Sequence, residues 1–167
     1  MKDNSMFENM QSKLNRLPVI YYILFFYILT FIGVIPFFIP GFILNFDEID
    51  KFPSIWDESI LVFILVSVVI VPIIETYIFQ GLILNLLKNK FKNDRNHFKK
   101  ATVSALTFGL FHWYNLKYVL VATIVGYILA YARLFKIEDK KDIFYVIIIH
   151  SLRNLTSGIV IYAEMIK

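Results

Sequence analysis

The stretch Val71-Pro72-Ile73-Ile74-Glu75-Thr76-Tyr77-Ile78-Phe79-Gln80-Gly81 sets one carboxylate near the middle of an apolar run from Leu61 to Leu87. At about 1.5 Å per residue, a helical run of that length spans a bilayer. Glu75 therefore stands where an ionised side chain costs about 2.5–3.5 kcal/mol on insertion scales. A membrane chain keeps such a group when it faces protein or water and has a function there.

The rest of the composition agrees. Of the 167 residues, 58% are hydrophobic, and the mean hydropathy is +0.65. Soluble domains lie nearer about 45–50% apolar. The expectation is an all-α, polytopic membrane helix bundle with about five transmembrane helices and a four-helix catalytic core. Residues 1–17 form a cytoplasmic or interfacial N-terminal segment, in which Met6, Phe7, Met10, Leu14 and Leu17 recur at helical spacing. Residues 18–167 form the membrane-embedded domain, with its core at about 60–160. The chain has no cysteine, which excludes disulfides and thiol chemistry. The net charge of +4 sits in short loops, so it reports orientation in a lipid bilayer rather than nucleic-acid binding.

In chain order, helices are expected at about Pro18 to Phe38, Ser59 to Leu87, Ala101 to Trp113, Lys117 to Phe135 and Ile143 to Met165. An acidic loop fills 41–58, and its charges read as a solvated face. A basic loop fills 88–100. Pro72 cannot donate to the carbonyl of Val68, which predicts a kink one turn before Glu75. Ala105-x-x-x-Gly109 and Ala122-x-x-x-Gly126-x-x-x-Ala130 are spacings that let helix backbones approach closely. Thirteen Lys and Arg fall on one side of the five expected crossings and three on the other. The positive-inside rule then gives a cytoplasmic N-terminus, five crossings and an outside C-terminus, and the expected location is the cell membrane.

Three helices carry polar groups at matching depth. Measured from their cytoplasmic ends, Glu75 lies about 20 Å, His112 about 17 Å and His150 about 11 Å along the helix. Phe108 and His112 share one helical face, as do His150 and Asn154, Glu75 and Phe79, and Thr76 and Gln80. Singly, such residues read as interhelical hydrogen bonds, and Arg153 reads as a snorkelling side chain. Together they read as one polar site. A carboxylate and an imidazole can hold or accept the proton of a water, and a second imidazole and an amide can donate to a developing oxyanion. That set suits peptide-bond hydrolysis. One carboxylate and two histidines could instead hold a divalent metal such as zinc. The spacing matches no helix-borne zinc motif, so the metal stays undecided.

The chain resembles the CPBP family of intramembrane proteases, also called the CAAX-processing, Abi or type II CAAX endopeptidase family. The family's E-E-x-x-x-R corresponds to Glu75-Thr76-Tyr77-Ile78-Phe79-Gln80, followed by Gly81. Its F-x-x-x-H is present as Phe108-Gly109-Leu110-Phe111-His112, and its H-x-x-x-N as His150-Ser151-Leu152-Arg153-Asn154. The resemblance covers roughly residues 60–160. It implies that Glu75 and His112 activate water and that His150 and Asn154 stabilise the oxyanion, with Thr76, Gln80, Phe108 and Arg153 in support. It implies an endopeptidase acting on a peptide or membrane-protein substrate. Family roles include prenyl-protein processing, peptide maturation, bacteriocin self-immunity and surface-protein display, and members are often described as metalloproteases.

Two positions depart from the pattern. The second glutamate is Thr76 and the arginine is Gln80, so an ion pair becomes a neutral pair. Arg153 is expected to bring a compensating positive charge near Glu75. The departures keep a second reading open, a non-catalytic scaffold or immunity protein of the same fold that binds a partner. A proton or ion pathway is a third, and the lack of inverted repeats argues against it. The oligomeric state is not legible.

Overall fold

The computed structural model describes residues 2–38, 60–90, 96–113, 116–136 and 139–165. The expected acidic loop 41–58 lies outside them, as does 91–95 of the basic loop. All regular structure among the described residues is helical, in six helices.

Helix α1, Lys2–Asn15, uses the apolar spacing noted above only in part. Phe7 stacks on His97 at 3.7 Å and on Phe135 at 4.7 Å. Leu14 is buried, and Gln11 Nε2 donates to the Phe135 carbonyl at 3.2 Å. Met6, Met10 and Leu17 stay exposed. The segment is thus docked on the bundle by Phe7, Gln11 and Leu14.

Helix α2, Val19–Ile32, is shorter than the expected Pro18 to Phe38. Pro36 has no amide hydrogen, so the α-helical ladder cannot run through it. The chain turns at Gly33 and Val34 and continues as a 3-10 turn, Ile35–Phe38.

Residues 60–90 form one helical rod, α3, of alternating register. Its α-helical parts are Ile60–Phe63, Val71–Glu75 and Leu84–Lys90, and its π-helical parts are Ile64–Ile70 and Thr76–Ile83. The break expected at Pro72 takes the form of a register change on both sides of the proline. A π-helical stretch widens the turn and commonly marks a functional segment. Glu75 and Thr76 straddle the change from the α-helical turn Val71–Glu75 to the π-helical stretch Thr76–Ile83.

Helices α4, His97–Leu110, and α5, Leu116–Leu134, pack with their backbones in contact. A Cβ at Gly109 would lie 2.0 Å from Thr123 Oγ1 and 2.9 Å from the Val119 carbonyl oxygen. A Cβ at Gly126 would lie 3.1 Å from Ala105 Cα. The small-residue spacing read from the sequence is this interface. Helix α6, Asp142–Met165, closes the bundle.

Among the described residues, three apolar segments are long enough to cross a membrane: Ile64–Lys90, Leu116–Leu134 and Asp142–Val160. Helices α2 and α4 have 14 residues each, about 21 Å at the standard rise. Leu65, Val69, Ile74, Tyr77, Ile78 and Leu82 form an exposed apolar face on α3. Water would penalise such a continuous face, whereas lipid accommodates it. Inside, Tyr22, Phe26, Leu129, Val146 and Ile149 build the core under the polar site.

Candidate active site

Glu75 ends the α-helical turn Val71–Glu75, and its carboxylate points between two imidazoles. Oε1 lies 3.5 Å from Nε2 of His112. Oε2 lies 3.6 Å from Nε2 of His150. Both distances exceed a direct hydrogen bond and fall within the range that one water bridges.

His112 lies just past α4, in a turn where its N–H bonds the Gly109 carbonyl at 2.9 Å. Its Nδ1 lies 2.7 Å from the Phe108 carbonyl oxygen. A carbonyl only accepts, so Nδ1 carries the hydrogen, and in the neutral ring Nε2 offers its lone pair to the Glu75 side. The same bond satisfies a carbonyl orphaned by the helix end. His150, in the middle of α6, places Nδ1 3.2 Å from Thr76 Oγ1.

Aromatic rings wall the three groups. Phe108 lies 4.5 Å from the His112 ring and 5.6 Å from the His150 ring. Tyr118 lies 5.5 Å from His112, and Phe79 packs edge-on against Phe108. The Glu75 and His112 side chains are 22% and 14% exposed, and that of His150 is 3% exposed. Access is therefore from the Glu75–His112 side, with His150 forming the floor.

The other expected residues divide. Thr76 bonds across to His150 rather than along the helix to Gln80. Gln80 is fully buried, and neither amide atom has a hydrogen-bond partner among the described residues. Asn154, one turn beyond His150, donates from Nδ2 to the Ser67 carbonyl at 2.9 Å and ties α6 to the first π-helical stretch. An amide nitrogen has two hydrogens, so one remains for other work. Arg153 does not pair with Glu75, which corrects the expectation of a compensating charge. Its guanidinium lies over the Phe31 ring at 4.7 Å and donates to Ser157 Oγ. Ser157 is one turn along the same helix, and a flat guanidinium stacks on an aromatic face, so local partners win.

Arg133 has a structural part that its sequence position hid. It reads there as one of many cytoplasmic charges, yet it is buried. Its Nε donates to Asp142 Oδ2 at 2.9 Å, and Nη2 donates to Asn85 Oδ1 at 2.9 Å. Its Nη1 donates to the carbonyls of Gln80 and Gly81. Those carbonyls lie in the second π-helical stretch, so Arg133 pins the altered turn that follows Glu75. The available signal was an arginine and an aspartate bracketing one short turn between two apolar helices.

A metal fits this arrangement poorly. Zinc needs its donors about 2.0–2.2 Å from one common point. Here each carboxylate oxygen faces a different ring, and no group of three such side chains among the described residues is arranged to hold an ion. A surface cavity of about 430 Å³ lies elsewhere, between Leu87 and the start of α4, and none of the polar cluster lines it. It is a groove at the bundle end, and the chemistry is placed by the side-chain geometry instead.

The fold and the cluster define an integral membrane helix bundle built around a shared carboxylate and two imidazoles. Residues 57–156 match the family model described as Rce1-like, type II CAAX prenyl endopeptidase Rce1-like, and the chain belongs to that family. No curated protein and no solved structure matched the chain.

Proposed function

We propose that this chain is an intramembrane endopeptidase that hydrolyses a peptide bond in a peptide or membrane-protein substrate, using water activated by Glu75 and His112. The observation that carries the reading is the Glu75 carboxylate set between His112 and His150 at 3.5 and 3.6 Å within an apolar bundle. Family membership supports protease chemistry in general.

In this reading a water lies between the Glu75 carboxylate and Nε2 of His112. One of these bases takes its proton as the water oxygen bonds to the substrate carbonyl carbon. The carbonyl electron pair moves to oxygen, and hydrogens from His150 and Asn154 meet the new negative charge. As the carbon–nitrogen bond breaks, the stored proton passes to the leaving amine. The products are a carboxyl end and an amine end, and the site returns to its starting state. The low-dielectric surroundings strengthen each of these interactions.

The bias of Lys and Arg supports a cytoplasmic N-terminus, and the location that goes with this reading is the cell membrane. Peptide maturation and bacteriocin self-immunity are the roles that the family resemblance suggests for this chain. The absence of the acidic and basic partners at Thr76 and Gln80 favours one competitor, a scaffold of the same fold that binds without cleaving. Glu75→Ala and His112→Ala separate the two. Loss of peptide cleavage in proteoliposomes with either variant, at normal abundance and folding, supports the protease. Folded variants that both retain the wild-type phenotype would leave the scaffold.

A further inference from the structure

We propose that Thr76 is a positioning residue that holds His150 in the tautomer with its hydrogen on Nε2, turned toward Glu75. The effect on rate rests on the hydrolytic reading; the tautomer itself does not.

Helical threonines ordinarily donate to the carbonyl one turn back. Thr102, Thr107, Thr123 and Thr156 all do so here, to Phe98, Val103, Val119 and Leu152 at 2.8–3.0 Å. Thr76 does not. It is fully buried, and the one hydrogen bond its side chain makes among the described residues is to Nδ1 of His150. A buried hydroxyl hydrogen goes to an acceptor. The acceptor here is the Nδ1 lone pair, so the neutral ring carries its hydrogen on Nε2. That nitrogen faces Oε2 of Glu75, itself an acceptor, at 3.6 Å.

The consequence is a division of labour. His112 is held by the Phe108 carbonyl with its lone pair toward Glu75. His150 is held by Thr76 with its hydrogen toward Glu75. One imidazole is set to accept and the other to donate. Thr76 achieves this with a neutral group and adds no second negative charge beside Glu75. With threonine at the second position of the E-E pattern, His150 still has a hydrogen-bond partner on α3.

The test is nitrogen NMR of the histidine side chains in the full chain in lipid nanodiscs, with His150 assigned by its loss in His150→Gln. The expected wild-type spectrum has His150 Nε2 protonated and Nδ1 bare, with His112 the reverse. Thr76→Ser should keep that pattern. Thr76→Val should move both His150 nitrogens toward averaged values as the tautomers mix. In a cleavage assay Thr76→Val should lower kcat about tenfold or more with little change in KM, as loss of a group that orients a functional imidazole does, and Thr76→Ser should restore most of it. A wild-type His150 protonated on Nδ1, or a folded Thr76→Val with an unchanged His150 spectrum, overturns the proposal. The wild-type spectrum decides alone if the valine variant does not fold. The expected tautomer in a protein that cleaves nothing supports the positioning role and removes only the hydrolytic reading.

Discussion

Arg133 and Asp142 form a buried ion pair, 2.9 Å between Nε and Oδ2, at the turn joining α5 to α6. The same guanidinium ties that turn to the π-helical carbonyls of Gln80 and Gly81, one turn beyond Glu75. The pair therefore links three of the helices that bound the site. Removing one partner of a buried pair leaves an uncompensated charge and costs about 3–5 kcal/mol. Arg133→Ala should lower the thermal midpoint in detergent strongly. Arg133→Ala with Asp142→Asn should cost less than the two single losses added, because the stranded carboxylate is gone. Strict additivity would show that the pair is not coupled.

Gly109 sets the spacing of α4 against α5 and, through it, the position of His112. Gly109→Ala forces a Cβ to 2.0 Å from Thr123 Oγ1 and 2.9 Å from the Val119 carbonyl oxygen. Overpacking of this kind typically costs about 1–3 kcal/mol. Thr123→Ala removes the nearer obstacle but not the backbone, so the Gly109→Ala/Thr123→Ala protein should regain only part of the loss. Full recovery, read from unfolding midpoints, would mean that the helices part easily.

Gln80 offers the opposite sign. It occupies a fully buried place with neither amide atom paired among the described residues. An unsatisfied buried polar group costs about 1–3 kcal/mol, and an apolar side chain of similar shape escapes that cost. Gln80→Leu should therefore raise stability and leave peptide cleavage within a small factor of wild type. A fall in stability would show that the amide is engaged.

Asn154 should show two separable effects. Its bond to the Ser67 carbonyl is a single hydrogen bond, worth about 1 kcal/mol in stability. Loss of an oxyanion donor typically costs about 10²–10³ in kcat. Asn154→Ala should thus reduce cleavage far more than it reduces the thermal midpoint. A loss of rate no larger than the loss of folded protein would assign Asn154 a structural part alone.

The convergence of Glu75, His112 and His150 was legible because each lies in an apolar helix at a depth countable from a charged end. The faces shared by Phe108 with His112 and by His150 with Asn154 followed from helical period. What escaped was set by tertiary partners or by register. The π-helical turns around Val71–Glu75 leave no mark in hydrophobic period. Arg153 was expected at Glu75, but a ring and a hydroxyl within its own reach took the guanidinium. Arg133 looked like a loop charge until its acceptors, backbone carbonyls of another helix, came into view. The first helix was drawn too long because Pro36 stops an α-helical ladder yet leaves the apolar composition unbroken.

Delivery of a water oxygen to a peptide carbonyl by Glu75 and His112 is tested most directly by isotope transfer. Wild-type protein in proteoliposomes, given membrane peptides with and without a prenyl group in oxygen-labelled water, should yield fragments whose new carboxyl terminus carries one labelled oxygen. Folded Glu75→Gln protein should yield none. Labelled fragments formed equally by wild type and Glu75→Gln, or no fragments from folded wild type across both substrate classes, would contradict it.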